Sequence, residues 1–325
     1  ISRCEGENMK QKYSKKVKEM CRINPKVDFA FKKLFGSEEN KDLLMSFINS
    51  VLSEDEQINY IELRNPYNLA NFLNDKMSIL DVKASDENGT WYDIEIQVAP
   101  QSYYDKRALY YWAKVYSDQL LEKGRYGTIN KVIGINVLDF NYFPDEDYHS
   151  MYKIYNSKTK TEYSDLFEMH FIELQKFNKE LSNLKTSLDR WVTFLNKAYE
   201  YGEDKIPKEL QEDKNIKKAI EVLDNMSLKG GEREIYEQRL KETIDRVEQI
   251  ETALNKGREE GLEEGREQGK KEGIKEGIKE GIKEGIKEGE NKKAIEIARN
   301  LLDVLDNETI SIKTGLSLDE IEKLR

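Results

Sequence analysis

Two short segments, 77–85 and 90–98, alternate apolar and polar residues and are separated only by Asp86-Glu87-Asn88-Gly89. Alternation marks strands with one buried face, because successive side chains leave a strand on opposite sides. A short connection containing Gly closes such a pair into a hairpin. In the first segment Leu80, Val82 and Ala84 share one face, and Asp81, Lys83 and Ser85 the other. In the second, Tyr92, Ile94, Ile96 and Val98 oppose Asp93, Glu95 and Gln97. A two-residue Asn88-Gly89 turn sets Lys83 against Ile94 and mixes the faces. A three-residue turn ending in Gly89, with that glycine in the left-handed conformation of the bulged hairpin, sets Lys83 against Asp93 and Asp81 against Glu95. Of the two, only the second keeps one side apolar, and it is the register predicted.

Two carboxylates directly opposed across a hairpin repel unless something positive lies between them. A divalent cation held by Asp81 and Glu95 removes the repulsion, and oxygen ligands favour Mg²⁺ or Mn²⁺ over zinc. Such an ion keeps coordination sites for water and a phosphate oxygen, which suits phosphodiester hydrolysis with a neighbouring Lys83 or Gln97 positioning the attacking water. The other reading of the same pattern is an antiparallel hairpin whose polar face is wetted by solvent.

Around the hairpin, apolar periodicity predicts a helix over 40–52, a strand over 58–63, a helix over 102–122 and a buried strand over 131–138. The 102–122 helix carries an aromatic stripe (Tyr103, Leu109, Tyr110, Trp112, Tyr116) that reads as core or as a nucleic-acid surface. A strand over 169–174 and helices over 178–198 and 216–228 follow, with Pro207 and Gly230-Gly231 as punctuation. The order helix, three strands, helix, strand predicts an α/β fold, a mixed sheet flanked by helices.

From Glu232 the sequence is mostly helix formers and charge, and nine glycines from Gly257 to Gly289 recur at an interval of four. Each glycine costs an isolated helix up to ~1 kcal/mol relative to alanine. The repeat reads either as a helix that self-associates into a homo-oligomer or as a charged spacer. After it, Ile295, Ala298, Leu301 and Leu302 regain helical spacing, and Ser317 with Glu320 forms a capping-box signature. Asp319, Glu320 and Glu322 make that last helix acidic, which favours packing over DNA reading. The expected organisation is a basic arm (1–23), an α/β domain (24–175), a helical extension (176–231), a charged repeat helix (232–290) and a terminal helical module (291–325).

Composition narrows the chemistry. The 325 residues include two cysteines, Cys4 and Cys21, and two histidines, His149 and His170. Zinc-ligand spacing, a disulfide framework and Ser-His-Asp or Cys-His catalysis are all disfavoured, so any catalysis falls to carboxylates. The net charge is −10, yet between Met9 and Lys33 nine Lys or Arg stand against Glu19 and Asp28, a local +7. That run is a phosphate-attracting arm or a solvated tail. No run reaches the ~18 apolar residues of a membrane span, and a cytoplasmic protein is expected. Residues before Met9 read as lying upstream of a start and are left out of fold reasoning.

Four separated blocks stand out: Asn24-Pro25-Lys26-Val27-Asp28-Phe29-Ala30-Phe31-Lys32-Lys33-Leu34-Phe35-Gly36, Ile79-Leu80-Asp81-Val82-Lys83-Ala84, Tyr92-Asp93-Ile94-Glu95-Ile96-Gln97 and Arg107-Ala108-Leu109-Tyr110-Tyr111-Trp112. In content and order they resemble the Rpn family of recombination-promoting nucleases and transposases, within the PD-(D/E)XK nuclease superfamily. The resemblance spans roughly residues 24–140, and the repeat tail is similar to tails in that family. It implies a restriction-endonuclease-like core and Mg²⁺-dependent DNA cleavage, with Asp81 and Glu95 as metal-binding catalytic acids. Gln97 stands where the broader superfamily usually has lysine, a departure shared with the Rpn-like pattern. Either Gln97 only orients water or Lys83 supplies the cation. Asp28 is a further metal ligand or the cap of a helix beginning near Phe29. Arg107, Tyr110, Lys32 and Lys33 are the expected DNA contacts. The function expected is a metal-dependent DNA endonuclease promoting recombination or transposition; the alternatives are a DNA-binding protein with weak turnover and an oligomeric scaffold acting through its tail.

Overall fold

The structure is a computed structural model describing residues 23–65, 82–201, 206–228 and 230–325. Its sheet begins with β1 (Ile61–Leu63), β2 (Val82–Asp86) and β3 (Trp91–Gln97). β2 and β3 pair antiparallel with Val82 opposite Ile94 and Lys83 opposite Asp93, the register that keeps the apolar faces together. Gly89 closes the turn at φ 82, in the left-handed region. Asp86 secures it: Oδ1 accepts the Asn88 and Thr90 N–H groups at 2.8 and 2.9 Å, and Oδ2 accepts the Tyr92 hydroxyl at 3.0 Å. The bulged three-residue turn expected from the sequence is the one formed.

Three more strands complete the sheet: β4 (Val132–Leu138), β5 (His149–Tyr152) and β6 (Phe167–Glu173), in the order β1-β2-β3-β4-β6-β5. β3, β4 and β6 run parallel, and the remaining pairings are antiparallel. Helices α1 (Asp28–Phe35) and α2 (Lys41–Val51) precede the sheet, and α3 (Tyr104–Lys123) links β3 to β4. After the sheet come α4 (Ser187–Lys197), α5 (Lys208–Gln211), α6 (Lys214–Leu228), α7 (Gly230–Leu301), α8 (Asn307–Thr314) and α9 (Leu318–Glu322).

Both faces of the sheet are covered, which is why β3 and β4 are buried along their whole length. On one face Tyr92, Ile94, Ile96, Ile133, Ile135 and Val137 pack with α1, α2, α4 and α6. Phe35 lies 5.2 Å from Phe47 and 5.5 Å from Trp191 there, each ring contributing on the order of 1.5–3 kcal/mol through burial. On the other face α3 lays Tyr104 and Ala108 against Leu138, Met169 and Phe171, and Val115 against Trp91 and Val132. The aromatic stripe of α3 therefore divides. Trp112 and Tyr116 stack at 5.1 Å beside the sheet, whereas Tyr103, Leu109 and Tyr110 stand in solvent.

Several expectations are corrected. The helix expected over 178–198 is confined to α4, because Thr186 and Asp189 close a capping box that starts it at Ser187. β5 was not foreseen: it is a four-residue edge strand, too short and too exposed to alternate legibly. Gly230 and Gly231 open α7 instead of ending the globular part, and Tyr236 is buried, its hydroxyl accepting the Asn24 N–H at 2.9 Å. The first compact unit runs to Ile250, where the sequence suggested an end near Gly231. The second unit, Glu251–Arg325, carries the glycine repeat on α7 and a small core of Ala298, Ile310, Leu316 and Ile321, with the Ser317–Glu320 capping box in place. Among the described residues no helix is long and apolar enough to cross a membrane.

The turn glycine is open to test. An added Cβ at Gly89 would meet Asn130 Nδ2 at 2.4 Å, whereas at Gly124, also at positive φ, it would meet open space. Gly89→Ala is expected to lower stability by about 2 kcal/mol and Gly124→Ala by about 1 kcal/mol, read as shifts of urea midpoint. Equal shifts would mean that only backbone strain matters at the hairpin.

Candidate active site

β3 presents two sets of side chains. Tyr92, Ile94 and Ile96 enter the apolar core, which forces Asp93, Glu95 and Gln97 to the opposite side, beneath α3. That side is not wet: Asp93 is 5 %, Glu95 4 % and Gln97 8 % exposed. The solvated-hairpin reading is therefore set aside, and the polar face of the central strand lies buried within the fold. Burying carboxylates is costly unless charge and hydrogen bonds compensate. Arg107, in the first turn of α3, places Nε 3.8 Å from Glu95 Oε2, while its Nη1 donates to Gln101 Oε1 at 3.1 Å.

The C-terminal end of β3 opens on a pocket of about 210 Å³ lined by Lys26, Asp28, Gln97, Arg107, Arg239 and Arg246 among others. Ligand sites in open α/β sheets lie at this end of the parallel strands. Gln97 Nε2 donates to the Ala99 carbonyl at 3.1 Å, a bond that orients the amide and leaves its oxygen as an acceptor. Lys26 is 8 % exposed and forms an ion pair with Asp139 at 2.7 Å; Asp139 N–H in turn donates to the Gln97 carbonyl at 2.9 Å. Asp28 is not the cap of α1. Val27 holds that position, and Asp28, the first helical residue, accepts the Phe29 N–H at 2.7 Å while lining the pocket. The helix dipole favours a negative charge there.

The structure thus brings together Asp28, Gln97 and Arg107, with Glu95 joined through Arg107. Of the other sequence candidates that the structure describes, Lys83, Lys32, Lys33 and Tyr110 are not among the residues lining the pocket. Lys83 lies opposite Asp93, and its ammonium is 3.7 Å from Asp118 and 4.8 Å above the Trp91 ring, engaged by α3 away from the pocket lining. Lys32 is buried, and Lys33 pairs with Glu39 at 3.3 Å and Glu232 at 3.5 Å, so neither is presented to DNA as expected. Tyr110 is 64 % exposed, with its ring 5.5 Å from Tyr111. Asp81 lies outside the described residues. Lys26, Arg239 and Arg246 were missed. Lys26 was counted only in the basic run between Met9 and Lys33, and the other two only within the charged helix from Glu232. The signal was present: Ile235, Tyr236, Leu240, Ile244 and Val247 keep apolar spacing before the first repeat glycine, Gly257.

Among the described residues no group of three or more His, Cys, Asp and Glu side chains stands ready to hold a metal ion. The pocket's lining offers oxygen donors from Asp28, Gln97, Glu242 and Thr243 and no sulfur or imidazole, the donor type a hard divalent cation takes, and it shares them with the cationic Lys26, Arg107, Arg239 and Arg246. Both histidines lie elsewhere, in a buried chain on β5 and β6: His149 Nε2 is 2.9 Å from His170 Nδ1, and His170 Nε2 is 2.8 Å from Glu168, which also pairs with Lys131 at 2.8 Å. Burial alone would raise the Glu168 carboxyl, but the hydrogen bonds from His170 and Lys131 hold it at about 2. Burial, and then the neighbouring His170, push His149 down to about 4.

A mixed six-stranded sheet with helices on both faces, and an acidic central strand ending at a pocket, is consistent with the restriction-endonuclease-like class of α/β folds. Residues 25–253 match the family described as PD-(D/E)XK nuclease family transposase, and the chain belongs to that family. The matched region ends close to Ile250, where the first compact unit ends. Comparison with curated proteins and with solved structures returned no match.

The titrating pairs give a stability profile. His149 is held neutral below its ordinary 6.5, so its contribution is complete above pH 6.5 and is lost as the pH falls towards 4. Glu168, depressed from 4.5 to about 2, keeps its contribution above pH 4.5 and loses it only as the pH falls towards 2. Melting temperature is expected to decline in two stages on acidification, and His149→Gln should remove the first. A wild-type melting temperature that stays flat down to pH about 4.5 would contradict the assignment.

Proposed function

We propose that this protein is a metal-dependent DNA endonuclease in which Asp81 and Glu95 hold a divalent cation, Mg²⁺ or Mn²⁺, with Asp28 as a further oxygen ligand. The observation that carries the reading is a buried Glu95 on the central strand, next to Arg107, which itself lines a pocket together with Asp28 and Gln97. A structural carboxylate gains little from that placement, whereas metal ligands and catalytic acids need it. A bound divalent cation supplies positive charge to the developing phosphorane and lowers the pKa of water.

The chain's own residues do the rest. Gln97 accepts a hydrogen bond from water through the oxygen left by its bond to Ala99, and so orients the nucleophile. Arg107 balances Glu95 and keeps guanidinium donors for a phosphate oxygen. Four cationic side chains line the pocket (Lys26, Arg107, Arg239, Arg246) against two acidic ones (Asp28, Glu242), so the lining attracts phosphate although the chain carries −10 overall. The family is described as a transposase family, which supports breakage of DNA during recombination or transposition as the setting. With no cation at position 97, a DNA-binding protein with weak turnover is the second reading.

Plasmid nicking by the purified protein in Mg²⁺, Mn²⁺ or EDTA tests this. Cleavage is expected only with metal, falling at least about a hundredfold in Glu95→Gln and Asp81→Asn and about tenfold or more in Gln97→Ala. Activity that survives in EDTA or in Glu95→Gln sinks the assignment. DNA binding without cleavage under any metal selects the second reading.

A further inference from the structure

The outward face of α3 carries exposed aromatic side chains beside cationic ones. Lys106, Arg107, Tyr110 and Tyr111 recur at three- and four-residue spacing along the helix, and Tyr103 stands immediately before its first residue, with Lys106 over its ring. Tyr103 is 70 % and Tyr110 64 % exposed, although tyrosine ordinarily buries most of its ring. Cations sit over the rings: Lys106 Nζ lies 4.5 Å from the Tyr103 centroid, and the Arg107 guanidinium 5.2 Å from that of Tyr111. The row is continuous with the candidate site, because the same Arg107 stands 3.8 Å from Glu95.

Tyr103 adds a backbone observation. It adopts φ 143, ψ 35, a conformation in which a side chain is strained and glycine is not. Packing does not offset that strain, since the ring is in solvent. The position holds an exposed aromatic where the backbone alone would favour glycine.

We propose that this row binds an unpaired stretch of the DNA substrate beside the scissile phosphate, with Tyr103 and Tyr110 stacking on bases and Lys106 and Arg107 meeting the backbone. The inference rests on the reading of the pocket as a DNA-cleaving site and specifies the substrate: DNA with single-stranded character flanking the cut. Aromatic rings need the π-face of a base, and in a closed duplex those faces are covered by neighbouring base pairs. Alternating rings and cations is the arrangement used to hold single strands without reading sequence. Seven residues of helix rise by roughly 10 Å, about the span of three stacked nucleotides, so the two exposed rings address bases a few positions apart.

The test uses the full chain in EDTA, so that binding is read apart from cleavage, with a fluorescent oligothymidylate of about ten nucleotides and a duplex of equal length. The oligonucleotide is expected to bind more tightly than the duplex. Replacing both tyrosines (Tyr103→Ala with Tyr110→Ala) should weaken oligonucleotide binding at least about tenfold and leave duplex binding within about twofold. The paired phenylalanine variant should bind as the wild type does, since phenylalanine keeps the stacking face. Unchanged oligonucleotide binding in the alanine pair overturns the proposal, as does equal loss in the phenylalanine pair or a wild type that prefers duplex. If these results accompany metal-dependent nicking that Glu95→Gln abolishes, only the single-strand inference fails. A wild type that binds neither DNA removes both.

Discussion

The register of one hairpin orders the site. With Gly89 in the left-handed region and Lys83 opposite Asp93, the apolar residues of β2 and β3 fall on one side. A slip of one residue would drive Glu95 into the apolar core and Ile94 towards α3. β3 is also the strand on which the parallel part of the sheet is built: Glu95 pairs in register with Asn136 of β4, and the Asn136 side chain accepts the Tyr104 hydroxyl at 3.0 Å and donates to the His170 carbonyl at 3.2 Å. The turn therefore fixes β3, β3 aligns β4, and β4 anchors the first turn of the helix that carries Arg107.

This geometry has an electrostatic consequence. Removing a carboxylate from water costs several kcal/mol even after relaxation, and β3 places two on one face within three residues. Arg107 near Glu95 offsets part of that cost. The arrangement is poor as a device for stability and well suited to a site that admits a cation and a phosphate. The Glu168 cluster offers the contrast: a fully buried carboxylate met at close range by His170, Lys131 and Lys153, its charge matched within the fold.

Much of this was legible in the sequence where local rules and tertiary structure agree. The hairpin turn, its register, the buried β4, the terminal capping box and the grouping of Glu95 with Gln97 all follow from alternation and turn chemistry. Chemistry that depends on a second element was not legible. Alternation places Lys83 on the polar face, but only the position of Asp118 on α3 reveals where its ammonium goes. Likewise, polarity suggested a wet face for β3, and only the passage of α3 across it shows that it is buried. The inward half of α7 was masked by the repeat that follows: Arg239 and Arg246 read as surface charge until Tyr236 and Leu240 are seen packed on the core. Tyr103 and Tyr110 were indistinguishable from Trp112 and Tyr116 by spacing, because helix phase alone does not say which side the sheet occupies.

The proposed cation site, held by Glu95 with Asp81, is open to direct observation through the anomalous signal of Mn²⁺ soaked into crystals of the protein. A peak is expected within about 2.5 Å of oxygens of both carboxylates and absent from Glu95→Gln crystals treated alike. A peak elsewhere, or an ordered pocket that takes up no manganese, would contradict it.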